Sequence, residues 1–397
     1  MRFSSAAVAV PDVGPAVEKL CELAGGDLGS AAPDLAVLFF TSHFEDEGSA
    51  IARAIRKRFP SALLVGCSAE GVIGPESELE RTPAMALLLA ALPGVTVRPF
   101  ELSAESLAAN QEPEALIDQV GAGPQESPAF LFFGDPFSLP VTHLLERFNR
   151  AYPGRPVLGG MASGCEAPEQ SVLMLEDQVL RAGGVGVALS GAVDVQAVVS
   201  QGCRPIGRPL VITKCRRNIL FELGGRPAVT QLRGILEDLP PEDVQLINRT
   251  GAIFVGRVIN EYQETFARGD FLIRNLMGHD PSSGAIAVAE ELRVGSTVQF
   301  HVRDAESADQ DLRHLLAPLV DGVRPAGALL FSCNGRGTRM WAQPHHDVAV
   351  FRDICGRVPV AGFFAAGELG PVGGRNFIHG HTACLALFRE RPVSSAS

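Results

Sequence analysis

The residues with the clearest chemical potential lie late in the chain. Cys333-Asn334-Gly335-Arg336-Gly337 follows the apolar run GALLFS, and Glu368 stands between glycines in VPVAGFFAAGELG. Gly335 and Gly337 would let the backbone come close to a ligand, and the Arg336 guanidinium could clamp a carboxylate through two bonds. The pattern is not GxGxxG, because Met340 occupies the last position. A glycine loop with a surface arginine would read the same way. Cys333, at the end of a buried run, is either a small packed hydrophobe or a thiol of lowered pKa beside a helix start and Arg336. No His–Asp spacing supports a catalytic dyad, so contact with a ligand is the preferred reading over a nucleophile. Glu368 must be solvated, paired or hydrogen-bonded to turn amides, and facing a pocket it would bind an amine. Cys67 and Glu70 stand at a related turn, VGCSAEG. His379 and His381 are two apart in a predicted strand and would share a face, whereas the rings of adjacent His345 and His346 diverge. Without a third ligand at a recognisable spacing no metal is expected. HExxH, the GxxxxGK[ST] phosphate loop and GxSxG are all absent.

These residues need strands and turns to hold them, and the chain offers the same arrangement three times. From Leu35, from Pro128 and from Gly327 the sequence reads strand, turn, helix, strand, glycine turn. Anchored on Phe40, Phe133 and Phe331, the first glycine of the second strand (Gly66, Gly159, Gly362) follows after 26, 26 and 31 residues. The third copy gains its extra residues near NGRG. Ile51, Ile55 and Phe59 fall on one helical face, as do Val141, Leu144, Leu145 and Phe148, and Val348, Phe351 and Cys355. Continuous apolar first strands suit a sheet covered on both faces. The expected fold is therefore mixed α/β. Two related halves are built from repeated β-α-β units plus antiparallel strands, with mixed sheets flanked by helices, layered α-β-β-α. The polar segment ELGGRPAVTQLRGILEDLPPEDVQ reads as helical and as a boundary, giving residues 1–226 two units and residues 227–397 the third. The tail RPVSSAS reads as disordered.

Composition narrows the function. The 397 residues are 46% hydrophobic and 20% charged, with a formal charge of -11. That balance is globular and repels nucleic acid and anionic membranes. The longest cationic run, Arg56-Lys57-Arg58, reads as the solvated end of a helix. The longest apolar run, from Ala84, is interrupted by Pro93 and is too short to span a bilayer. The N-terminus carries no secretory signal pattern, and the eight cysteines form no CxxC, so a cytoplasmic chain with reduced thiols is expected.

Several segments together resemble the FIST sensory proteins, with their N- and C-terminal FIST domains. They are VGCSAEGVIG, PVLGGMASG, QGCRPIGRPLVIT, GDFLIRNLMGHDPSSGAIAV, VQFHVRDAESADQDL, FSCNGRG and VPVAGFFAAGELGP. The resemblance covers nearly the whole chain. It implies an intracellular signalling module that binds a small ligand, with amino acids proposed for the family. Carried over by motif, the ligand-binding residues are Cys333, Asn334, Gly335, Arg336, Gly337, Glu368 and His379, with Cys67 and Glu70. Bacterial relatives are often fused to kinase, cyclase or chemotaxis modules. This sequence shows none, so a separate signalling output protein is the expected partner. No cofactor is expected. Two alternatives stay open: a haem-binding gas sensor, as some members are, and a cysteine-dependent enzyme using Cys333 on a small polar substrate.

Overall fold

A computed structural model describes residues 1–391 apart from 252, 264, 267–268 and 321–322. All of the RPVSSAS tail but its first residue lies outside the described residues. The fold is mixed α/β, with four sheets among the described residues.

Each expected β-α-β segment is present. Leu35–Thr41 pairs in parallel with Leu63–Ala69, Ala129–Gly134 with Val157–Met161, and Gly327–Cys333 with Val360–Ala365. The helices between them are Gly48–Arg58, Val141–Ala151 and His346–Cys355. One glycine in each second strand is dictated by contact. A Cβ on Gly66, Gly159 or Gly362 would lie 1.8, 1.9 or 1.8 Å from the carbonyl oxygen of Leu38, Phe132 or Leu330 on the neighbouring strand.

Those glycine pairings set the equivalences, and they correct one anchor. Leu38, Phe132 and Leu330 correspond, so the partner of Phe133 and Phe331 is Phe39 and not Phe40. Phe39 packs 5.3 Å from Phe133 and 6.3 Å from Phe331, ring centre to ring centre, and Phe133 lies 6.0 Å from Phe331. Phe40 points the other way, into the layer with Ile51 and Ile55. Both phenylalanines are fully buried, so apolar character alone did not say which faced the centre.

After its second strand each segment sends a hairpin into another segment's sheet. Gly71–Ile73 and Glu78–Glu80 extend the third sheet, through Gly362 opposite Ile73. Leu173–Leu175 and Gln178–Leu180 extend the first, through Leu173 opposite Cys67. Glu368–Val372 and Arg375–His379 extend the second, through Glu368 opposite Gly160. The exchange is cyclic, and each resulting sheet has six strands. One face of each of these three sheets joins a common apolar core, and the other lies under helices.

The contacts draw the bodies differently from the expected halves at 226/227. Among the described residues, one compact body holds those of 1–199 and 312–391, with all three β-α-β segments, and a second holds those of 200–311. In the second, a seven-stranded sheet runs from Cys203–Arg216 to Arg226–Pro227, and a further pairing of Cys203–Arg216 with Ile219–Leu223 closes it. Its interior is apolar, with Ile212, Leu220, Val255 and Phe300 fully buried.

Candidate functional site

The site belongs to the third segment. Strand Gly327–Cys333 ends in the loop 334–345, and helix His346–Cys355 follows. Arg336 folds back from the loop and is fully buried. Its Nε and Nη2 each donate to Asp347, at 2.7 Å. Ser332 Oγ donates to the same carboxylate at 2.7 Å, and His346 Nδ1 lies 3.1 Å from it. Trp341 stacks on His346 with ring centres 3.4 Å apart, and the Arg336 guanidinium carbon lies 5.7 Å from the Trp341 ring. Burial pushes the Asp347 carboxyl up, but the Arg336 charge and these hydrogen bonds outweigh it and hold the carboxyl far below its usual range. Burial likewise works against the Arg336 cation, and Asp347 outweighs that too.

This pairing changes the role open to Arg336. The two-pronged edge expected to clamp a ligand carboxylate already holds Asp347. What remains is Nη1, buried and without a hydrogen-bond partner in the protein.

Two further carboxyls act on that guanidinium. Glu368 is fully buried at the start of its hairpin. Its Oε2 accepts from the Thr382 amide at 3.1 Å and hydroxyl at 2.7 Å, while Oε1 has no protein partner. Burial raises its pKa to about 8, against opposing hydrogen bonds from Thr382, the Arg336 charge and the Cys333 thiol. Glu78 arrives on the exchanged hairpin of the first segment. Its Oε1 accepts from the Val348 amide at 3.0 Å, its own amide donates to His345 Nδ1 at 3.0 Å, and Oε2 has no protein partner. Burial and the Asp347 charge raise its pKa to about 8. Arg336 Nη1 is thus a buried donor without a protein acceptor, and the Arg336 charge acts on both Glu368 and Glu78, each of which has one unpartnered carboxyl oxygen.

The other expected residues divide. Cys333 is buried beside Glu368, and its Sγ accepts from the Gly335 amide at 3.4 Å. Asn334 donates its amide to the Ala365 carbonyl at 2.9 Å, tying the loop to the next strand. Gly337 has φ +56°, and a Cβ there would lie 2.6 Å from Glu80 Oε1. That carboxylate accepts from the Thr338 amide and hydroxyl, each at 2.9 Å. Glu70 pairs with Arg339, with one contact of 2.9 Å, so it fastens the loop from outside and does not face Arg336. His379 lies opposite Glu368 in the hairpin register, and its Nε2 is 3.0 Å from the Gly370 carbonyl. His381 falls beyond the strand at φ +66°, which removes the expected shared face with His379. Cys67 is in the common apolar core, its thiol pushed well up by burial, and is not brought to Arg336. Among the described residues no group of three His, Cys, Asp or Glu could hold a metal ion, and no helix is long and apolar enough to cross a membrane.

Sequence reading missed Asp347, Glu78, Glu80, Trp341 and Thr382. Asp347 had a signal, since it sits in the first turn of the expected helix, where a carboxylate is favoured. Glu78 and Glu80 had none, because they reach the site only through the hairpin exchange.

Comparison with known proteins places this geometry in context. The FIST N domain description matches residues 34–226, and the FIST C domain description matches residues 228–371. An uncharacterized protein of Mycobacterium tuberculosis is 40% identical over 391 residues, covering 98% of this chain and 100% of its own. An uncharacterized protein of Mycobacterium bovis is 39% identical over 391 residues, covering 98% and 99%. Among solved structures, a cyanuric acid hydrolase from A. caulinodans is similar over 98% of this chain and 99% of its own, at 9% identity and a TM-score of 0.35. At that score the likeness is too weak to argue from.

Proposed function

Because this chain belongs to the FIST family, whose domains are generally sensory domains of signal transduction, we propose that it senses a small zwitterionic, amino-acid-like ligand at the Arg336 cluster. The observation that supports this reading is the set of partnerless buried atoms: one cationic donor, Arg336 Nη1, and two carboxyl oxygens, Glu368 Oε1 and Glu78 Oε2. A buried polar atom left unsatisfied costs about 1–3 kcal/mol. A ligand carrying both a carboxylate and an ammonium would satisfy both kinds at once. The carboxylate would take Nη1 by a single charge-assisted bond, and the ammonium would take the two glutamates.

The cluster is also wired for output. Its loop is fastened by Glu70 and Glu80, and Glu78 stands in the cluster on the same exchanged hairpin as Glu80. A ligand that draws on Arg336 and Glu78 would pull on that hairpin and loop together. A separate cytoplasmic signalling protein would read the change. No cofactor, nucleic acid or membrane insertion enters this proposal.

The test is calorimetric titration with a panel of free amino acids, alongside Glu368→Gln. One or a few amino acids should bind the parent protein and bind the variant at least about tenfold more weakly, the loss of one charge-assisted contact. If no amino acid binds, or if Glu368→Gln binds as the parent does, the assignment fails.

A further inference from the structure

A second feature lies away from this cluster and does not depend on it. Helices Val13–Leu28 and Gly48–Arg58 pack on the first sheet and leave an open groove of about 1000 Å³ between them. Its floor is apolar and buried: Val17, Cys21 and Ile51. The upper walls are small, with Gly14, Gly26, Ala50 and Ala54 exposed along it. A Cβ on Gly14 or Gly26 would meet nothing within 4 Å. One wall carries Glu18 and Glu22, and the other carries Lys57 and Arg58. All four are exposed. The neighbouring Arg56 is different, since it is paired with Asp177 at 2.9 Å and with Glu176. Among the described residues Glu18, Glu22, Lys57 and Arg58 have no ion-pair partner in the chain.

We infer that this groove receives the same helix pair of a second copy of this chain. The reason is its charge layout. A twofold interface places one patch against itself, so the patch must carry its own complement. This one does, with an acidic wall on one helix and a basic wall on the other. In the twofold pair, helix Val13–Leu28 of each copy lies in the groove of the other. Glu18 and Glu22 then face Lys57 and Arg58 across the interface, twice. The glycines and alanines let the helices approach closely, because interaxial distance is set by the side chains at the contact. Charge pairing of this kind chooses partner and register.

The test uses the full chain and two charge-reversed variants, Glu18→Lys/Glu22→Lys and Lys57→Glu/Arg58→Glu. Mass is read by light scattering after gel filtration and by sedimentation equilibrium up to about 100 µM, a range that captures micromolar dissociation constants. Circular dichroism checks that each variant is folded. The parent chain should be a dimer, and each variant alone should dissociate at least about tenfold more readily, since both of its contacts become repulsive. Mixed in equal amounts, the two variants should form a heterodimer, because every wall then meets its opposite. A monomeric parent at the highest concentration overturns the inference. So does a parent dimer that both variants preserve, or a variant mixture that stays monomeric. Filling the groove by Ala54→Trp, which changes no charge, should also break the dimer. A dimer that tolerates it is built elsewhere.

Discussion

Arg336 and Asp347 form a fully buried ion pair through two 2.7 Å hydrogen bonds, one from Nε and one from Nη2. The pair closes the third β-α-β segment on itself, because one partner is in the loop after its first strand and the other is in the first turn of its helix. It also leaves the third guanidinium nitrogen as the only one without a protein acceptor.

Removing one member of that pair strands the other charge in the interior. Arg336→Met or Asp347→Leu should each cost about 3–5 kcal/mol in urea unfolding, and the double variant Arg336→Met/Asp347→Leu should cost less than either single one. A double variant as unstable as the sum of the singles would mean that the two residues do not act as a pair.

Stability should fall as pH rises through neutrality, and Glu368 and Glu78 are the cause. Both have folded pKa values raised to about 8, above the ordinary carboxyl value of 4.5. The folded chain holds their protons after the unfolded chain has released them. The unfavourable linkage therefore begins above about pH 4.5 and is complete above about 8. Glu368→Gln should flatten the decline and stabilise the protein at pH 8 by a few kcal/mol, because each pH unit between the two pKa values is worth about 1.4 kcal/mol. Denaturant melts at pH 5 and pH 8 measure this directly. An unchanged pH slope in the variant would show that Glu368 is ionised in the native state.

The same protons should govern the proposed ligand. An ammonium favours the ionised carboxylate, so binding must expel a proton at any pH below about 8. Affinity should rise up to about tenfold per pH unit between pH 6 and 8 if one proton leaves, and then level off. Calorimetry in two buffers of different ionisation enthalpy counts the proton. A pH-independent affinity would place the ammonium elsewhere.

Trp341 is the chain's one tryptophan and lies in the loop that closes over Arg336. Its emission therefore reports that loop. Gly337→Ala puts a Cβ at φ +56° and 2.6 Å from Glu80 Oε1, and should cost about 1–2 kcal/mol for the backbone alone. The Trp341 spectrum should shift toward that of exposed indole. The exposed pair Arg339–Glu70 is weaker: Arg339→Ala should cost less than about 1 kcal/mol, as surface ion pairs do. Equal losses from the two variants would show that the pair, and not the Gly337 turn, holds the loop.

Local pattern was enough for much of this architecture. Apolar runs ending in small residues marked the three first strands, and the helical faces containing Ile55, Phe148 and Phe351 were legible because burial on one side imposes a 3.6-residue period. Gly66, Gly159 and Gly362 were visible as recurring glycines, and a clash with the next strand's carbonyl explains each one. Arg336, Cys333 and Glu368 were legible as chemistry-bearing residues at strand ends. Their surroundings were not. Strands buried on both faces carry no alternation, so nothing in LAVLFF says whether Phe39 or Phe40 meets Phe133. The partner that holds Arg336 could have been guessed from its place in a first helical turn. The arrival of Glu78 could not, since a hairpin's choice of sheet depends on backbone edges that sequence spacing does not encode. Only the tertiary structure, by exchanging three hairpins among three sheets, decided which carboxyls act on the guanidinium and which of its nitrogens is left without a protein acceptor.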